Sequence, residues 1–296
     1  GDGKTSNTGI IKRAIDELSS KGGGTLSFTQ GTFVTGPIVL KSNITLLIDA
    51  SATIKFSDDF SEYIPFVEMR YEGVVMKSFC PMIYAYEQEN ITIKGEGTID
   101  GNGKKWWYGT FTVEGAHKDE QFKKELNGYQ ELWNKENPNL TIEDQSDWKR
   151  TLGKRFFRPP LMQPYKCKGF KVQGVKIINS PFWTINPEFC ENVLIDGITI
   201  NNPDAPNTDG INPSSCKNVI ISNSFITVGD DCITLKSGRD LQGRQYSTPC
   251  ENITITNCVM RAGHGGVVIG SEMSGGVRNV NVPYRPQWER PSPGCW

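Results

Sequence analysis

The chain has 296 residues, enough to bury a sizeable core within one solenoid. Its 32 lysines and arginines nearly balance 33 aspartates and glutamates, for a formal net charge of -1. That balance excludes a broad electrostatic attraction to nucleic acid or to an anionic membrane, and no apolar run approaches the roughly 18 residues of a membrane span.

The opening residues, Gly1-Asp2-Gly3-Lys4-Thr5, are polar, show no signal peptide and lack an initiating Met, and read as a fragment or processed product. Ser6, Asn7 and Thr8 are helix-capping types, and Ile10, Ile11, Ala14, Ile15 and Leu18 fall on one helical face. Gly22-Gly23-Gly24 ends that helix. An amphipathic helix placed before the first strand is expected to lid the open end of a repeat core.

A short phrase then begins to recur, first as Asn43-Ile44-Thr45-Leu46 and again as Asn90-Ile91-Thr92-Ile93. Residues 104–155 interrupt it with a polar stretch holding Trp106, Trp107, Tyr108, Trp133 and Trp148. Solenoid insertions tend to sit on the binding face. Those aromatics either line a groove there or form the insertion's own small core. The phrase resumes as Cys167-Lys168-Gly169-Phe170, Cys190-Glu191-Asn192-Val193, Cys216-Lys217-Asn218-Val219 and Cys250-Glu251-Asn252-Ile253, with Arg278-Asn279-Val280 as a partial copy.

Each copy holds several short β-branched runs punctuated by Gly, Asn, Asp or Pro, and none has helical spacing. Such a unit cannot bury its apolar face alone, and stacking copies gives one continuous core. The expected fold is all-β: a right-handed parallel β-helix spanning 1–296 as a single domain, with an N-terminal capping helix. Like residues then align in ladders, so the four cysteines form one buried, inert column and Asn192, Asn218, Asn252 and Asn279 another. The chain has no Cys-x-x-Cys, and its histidines are His117 and His264, so no metal site is expected.

Three acids and a histidine sit at matching places in three stretches: Asn207-Thr208-Asp209-Gly210-Ile211, Gly229-Asp230-Asp231-Cys232-Ile233 and Gly263-His264-Gly265-Gly266-Val267. Aligning Ile211, Ile233 and Val267 sets Asp209 against Asp231, and Thr208, Asp230 and His264 in the adjacent column. Carboxylates so close raise one another's pKa, which lets one stay protonated while another is ionised. Glycosidic hydrolysis needs that division, an acid for the leaving oxygen and a base for water.

With these motifs, and with Ser180-Pro181-Phe182-Trp183 and Lys236-Ser237-Gly238-Arg239, the chain resembles the polygalacturonases of glycoside hydrolase family 28 from about Gly1 to Val282. The resemblance implies hydrolysis of α-1,4-galacturonosyl linkages in pectin, with inversion and without cofactor or metal. It assigns Asp230 as general acid, Asp209 and Asp231 as the water-activating pair, and His264 as support for the acid. Asn207 and Trp183 are further substrate-binding candidates, and Lys236, Arg239 and Arg244 are either carboxylate partners near the cleft or solvated surface charge. The run from Gly229 to Arg244 looks more like bacterial exo-acting members. The expected partner is a pectic polysaccharide or oligogalacturonide, and the expected location is secreted or periplasmic.

The family's Arg-x-Lys, which holds substrate carboxylate, is not found after Val280. The segment from Pro283 carries Pro286, Pro291 and Pro293, and reads as an irregular tail, out of frame or cut short. Two other activities remain open on sequence: rhamnogalacturonan hydrolysis, and polysaccharide binding by a catalytically impaired β-helix. A calcium-dependent pectate lyase shares the fold and is the third alternative.

Overall fold

A computed structural model describes residues 1–110, 119–140, 158–283 and 287–288. Its short strands climb three faces in chain order. One face stacks Gly24–Phe28, Ile44–Ile48, Glu89–Gly95, Lys168–Gln173, Glu191–Asp196, Lys217–Ser222, Cys250–Thr256 and Val277–Asn281, all parallel. A second runs from Asp2–Ser6 to Gln287–Trp288. The third starts with Ile38–Val39, Ile83–Tyr86 and Met162–Tyr165, and passes through single bridges at Ile185 and Ile211 to Ile233–Leu235 and Val267–Ile269. Parallel neighbours joined by crossovers take the right-handed path, and the product is a right-handed parallel β-helix.

The repeat phrase explains this stacking residue by residue. Leu46, Ile93, Val172, Ile195, Ile221 and Ile255 share one register and point inward, each no more than 1% exposed. Burying each such side chain contributes about 1.5–3 kcal/mol. The asparagines of the phrase hold the turn before the strand. Asn43, Asn90, Asn192, Asn218, Asn252 and Asn279 all have φ between 55° and 63°, a left-handed conformation that Asn tolerates better than most residues. Gly169 takes the same position with φ 77°. Their amides hydrogen-bond from coil to coil, with Asn218 Nδ2 donating to Asn192 Oδ1 and Asn252 Nδ2 to Asn218 Oδ1, both at 3.0 Å. The cysteine column is buried as expected, and the described cysteines are free thiols.

Helix α1, Thr8–Ser20, closes the N-terminal end against the first strands, with Ile11 and Ile15 buried. Two details differ from the expectation. Ile10 is 58% exposed, because the row Ile11–Ile15–Leu18 faces the core and Ile10 lies one residue off it. Asp2–Ser6 forms a strand before α1, pairing with Gly31–Thr35, so the helix lies between strands.

The insertion contributes α2 (Lys104–Thr110), α3 (Glu120–Asn127) and α4 (Gln130–Glu136). Trp106, Trp107 and Trp133 are buried, and Trp106 packs on Phe60, Tyr63 and Phe79 with ring centroids 4.4–5.2 Å apart. Trp106 and Trp133 join the main core and Trp107 Nε1 donates to Ser180 O, so these three aromatics neither line a groove nor form a separate core of the insertion; Trp148 lies outside the described residues. In the expected irregular tail, Gln287 and Trp288 pair in parallel with Val259 and Met260. Neither is a proline, so both keep the N–H that a ladder needs.

An antiparallel hairpin, Val67–Tyr71 with Val74–Ser78, leaves the coil and folds back over the third face. Arg70, fully buried, ties it there through Glu188, Ser214 and Ser215. Helix α5, Asp240–Tyr246, follows the third-face strand Ile233–Leu235.

Candidate active site

The third face brings the acids together. Ile211 bridges Ile233, and Ile233 pairs with Val267, so Asp209, Asp231 and Gly265 fall in one column and Thr208, Asp230 and His264 in the next. The backbone fixes this register: Gly210 N–H donates to Asp231 O at 2.9 Å, and Cys232 N–H to Gly265 O at 2.8 Å. His264 N–H donates to Asp230 O at 2.8 Å, and its Nδ1 stands 3.2 Å from Asp230 Oδ1. Gly265 is required by crowding, since a Cβ there would lie 2.2 Å from Val268 Cγ2 and 3.0 Å from Asp231 Oδ1.

The three carboxylates are not equivalent. Asp209 is buried, accepting from Asn212 Nδ2 at 2.9 Å and Thr234 Oγ1 at 3.4 Å, with Lys236 Nζ at 3.8 Å. Burial pushes its pKa above the ordinary range; Lys236 opposes the rise, while Asp230 and Asp231 add to it. Asp231 is half-buried and also raised, first by burial and then by Asp230. His264 is the most open member, with 68% of its side chain exposed.

Lys236 lies behind this group. It is 4% exposed, donates to Glu272 Oε2 at 2.6 Å and Gly270 O at 3.1 Å, and sits 4.5 Å from the centroid of the Trp183 ring. Burial works against its charge, but Glu272 and Asp209 outweigh burial and hold the proton. Trp183 is also buried, stacked on Phe182 at 4.9 Å. Lys236 and Trp183, expected to touch substrate, therefore offer almost no surface to solvent. Arg239 is committed to Glu72 at 3.2 Å and faces Glu272 at 4.0 Å. Arg244 is exposed in the last turn of α5. Asn207 donates to Asp230 Oδ2, and its own Oδ1 accepts from Arg158.

Four of these residues escape a reading of the motifs: Arg158, Asn212, Glu72 and Glu272. The register ends at Leu235 and Ile269, and Glu272 lies three residues beyond it in a turn. Arg158 follows the insertion and Glu72 sits at the hairpin tip, where no repeat lattice reaches. Among the described residues no cluster of three or more His, Cys, Asp or Glu side chains is placed to hold a metal ion.

Residues 141–284 match the model of Glycosyl hydrolases family 28, and the chain belongs to that family. It is 31% identical to a "Probable polygalacturonase" of Vitis vinifera, over 95% of this chain and 52% of the relative. It is 28% identical to an "Exo-poly-alpha-D-galacturonosidase" of Dickeya chrysanthemi, over 95% of this chain and 47% of the relative. The crystal structure of a hyperthermoactive exopolygalacturonase from Thermotoga maritima superimposes with a TM-score of 0.79 at 41% identity, covering 95% of this chain and 62% of that one. The chain thus spans about half the length of the curated relatives it matches.

Proposed function

We propose that the chain hydrolyses the α-1,4-galacturonosyl linkages of polygalacturonate, from chain ends, with inversion at the anomeric carbon. One observation carries this reading: Asp209, Asp230 and Asp231 converge from two rungs onto one patch, in environments that differ in burial. Asp230, partly open and beside His264, gives its proton to the glycosidic oxygen as the C1–O bond breaks. Water attacks C1 from the opposite side and surrenders a proton to the Asp209–Asp231 pair. Burial makes that pair a stronger base once ionised, which suits proton abstraction from water. Lys236, with the Trp183 ring beside it, acts from behind, through Asp209. The substrate is pectic, and a secreted or periplasmic location fits it; among the described residues no helix is long and apolar enough to cross a membrane.

End-first cleavage is supported by the 41% identity to an exopolygalacturonase. One observation favours a second reading, a binding protein with weak turnover: Lys236 and Arg239 are already paired with protein carboxylates. The test is the product profile on polygalacturonate, with the anomer of the first product read by proton NMR. Early monomer or dimer of inverted configuration, lost by about 10²–10⁴-fold in Asp230→Asn with binding retained, is the expected result. Products with unsaturated ends, or full activity in Asp230→Asn, overturn it.

A further inference from the structure

Five charged side chains form one continuous line behind the carboxylate patch. From the hairpin tip inward they are Glu72, Arg239, Glu272, Lys236 and Asp209, with successive contacts of 3.2, 4.0, 2.6 and 3.8 Å. Three are carboxyl groups and two are cations. Lys236 lies far closer to Glu272 than to Asp209, and Glu272 takes the larger share of its field. Asp209, at the inner end, is left with the least compensation. It also faces Asp230 and Asp231, which repel its charge, and the neutral amide of Asn212.

We propose that Glu272 is a positioning residue for the reaction: by holding Lys236 at 2.6 Å it withholds that cation from Asp209 and keeps Asp209 a strong base. The inference rests on the reading of Asp209 as a water-activating carboxylate. Its physical content is a competition between two buried carboxylates, both under 10% exposed, for one buried ammonium. The directions of proton affinity agree with it. Burial alone would raise Glu272, yet Lys236 pulls it below the ordinary range, while the same lysine fails to reverse the rise at Asp209. Glu72 and Arg239 matter as an outer brace. Arg239 shares Glu272 and limits its swing, and Gly73 O accepts from Arg239 N–H at 3.1 Å, which fixes the hairpin tip against this segment.

Glu272→Gln is close to isosteric and removes the competing charge. Lys236 then acts on Asp209 alone, and an opposite charge that near lowers a carboxylate's pKa by about 1 unit or more. Two readouts test this. Carboxyl carbon titration by NMR, with Asp209 assigned by its loss in Asp209→Asn, should show its midpoint moving down by about 1 pH unit in Glu272→Gln. The acid limb of kcat on polygalacturonate should move the same way, with kcat falling several-fold as the base weakens. Glu272→Asp, which keeps the charge, should restore most of both, and Lys236→Met should move the Asp209 midpoint up. An unmoved or rising midpoint in folded Glu272→Gln overturns the proposal, and so does a Glu272→Asp that behaves like Glu272→Gln. If the midpoint falls while Asp209→Asn keeps full activity, the charge competition stands and the assigned role of Asp209 fails.

Discussion

Asn207 Nδ2 donates to Asp230 Oδ2 at 3.1 Å, and the direction of that bond is fixed from behind. Arg158 Nη2 donates to Asn207 Oδ1 at 2.9 Å, and a guanidinium can only donate, so the amide oxygen must face it. The amide nitrogen is then left for Asp230. Oδ2 thus accepts from Asn207, and Oδ1 is the oxygen 3.2 Å from His264 Nδ1. Arg158 is itself held at full burial by the carbonyls of Pro181 and Pro206.

Replacing Asn207 by Asp keeps the shape and inverts the electrostatics. A second carboxylate beside Oδ2 favours a protonated Asp230, so the alkaline limb of the pH–rate profile should move up. The misplaced proton, now shared between the two acids, should cost about 10²-fold in kcat. A rate profile matching the wild type in both limbs would show that this amide does not govern the acid.

The repeat phrase made the core legible because a solenoid repeats its physics. Each Asn marks a left-handed turn, each following Val or Ile marks the inward face, and the register of Ile211, Ile233 and Val267 follows by simple alignment. The convergence of Asp209, Asp230, Asp231 and His264 was readable for the same reason. Arg158, Glu72 and Glu272 were not, because they sit just after an insertion, at a hairpin tip and in a non-repeating turn. For Trp183 and Lys236 alignment gives no depth: it sets a side chain's column, while burial depends on what folds over it. Here that cover includes the hairpin, which no alignment of coils contains.

Gly265 tests how closely the coils must approach. An added methyl meets Val268 Cγ2 at 2.2 Å and Asp231 Oδ1 at 3.0 Å, so both must shift to admit it. Gly265→Ala should destabilise the protein by about 1–3 kcal/mol through overpacking and displace Asp231. Activity should drop by at least tenfold even below the new melting temperature. Thermal unfolding followed by circular dichroism, with rates taken well under the transition, separates the two effects; an active enzyme with lowered stability would mean that Asp231 tolerates the shift.

The asparagine ladder makes a prediction about conformation more than about hydrogen bonds. Asn218, at φ 57°, both donates to Asn192 and accepts from Asn252, on the exposed side of the turn. Asn218→Gly relieves the backbone and loses two exposed bonds, at about 0.5–1.5 kcal/mol. Asn218→Val adds a β-branched side chain in the left-handed region and should cost about 2–3 kcal/mol. The chain already makes the milder substitution at Gly169, in the same column. Denaturant midpoints for the two variants should differ clearly. Equal midpoints would mean that the hydrogen bonds, not the φ angle, select asparagine.

The last prediction concerns pH and stability, and its sign follows from Asp209. Burial raises its folded pKa above the unfolded value of about 3.9, so the folded state binds the proton more tightly. The stability it contributes is complete below the unfolded pKa and drains away as pH rises through the folded value. Asp231, raised for the same reason, adds to the slope. Asp209→Asn retains an oxygen to accept from Asn212 Nδ2 and carries no charge to desolvate. Lys236 is not left unpaired, because Glu272 holds it at 2.6 Å. The variant should therefore show a flatter decline in melting temperature between about pH 5 and about pH 8, and should exceed the wild type by about 1 kcal/mol or more at the upper end while losing activity. Parallel curves for the two proteins across that range would mean that Asp209 keeps one protonation state throughout, and that its buried environment does not tune the base.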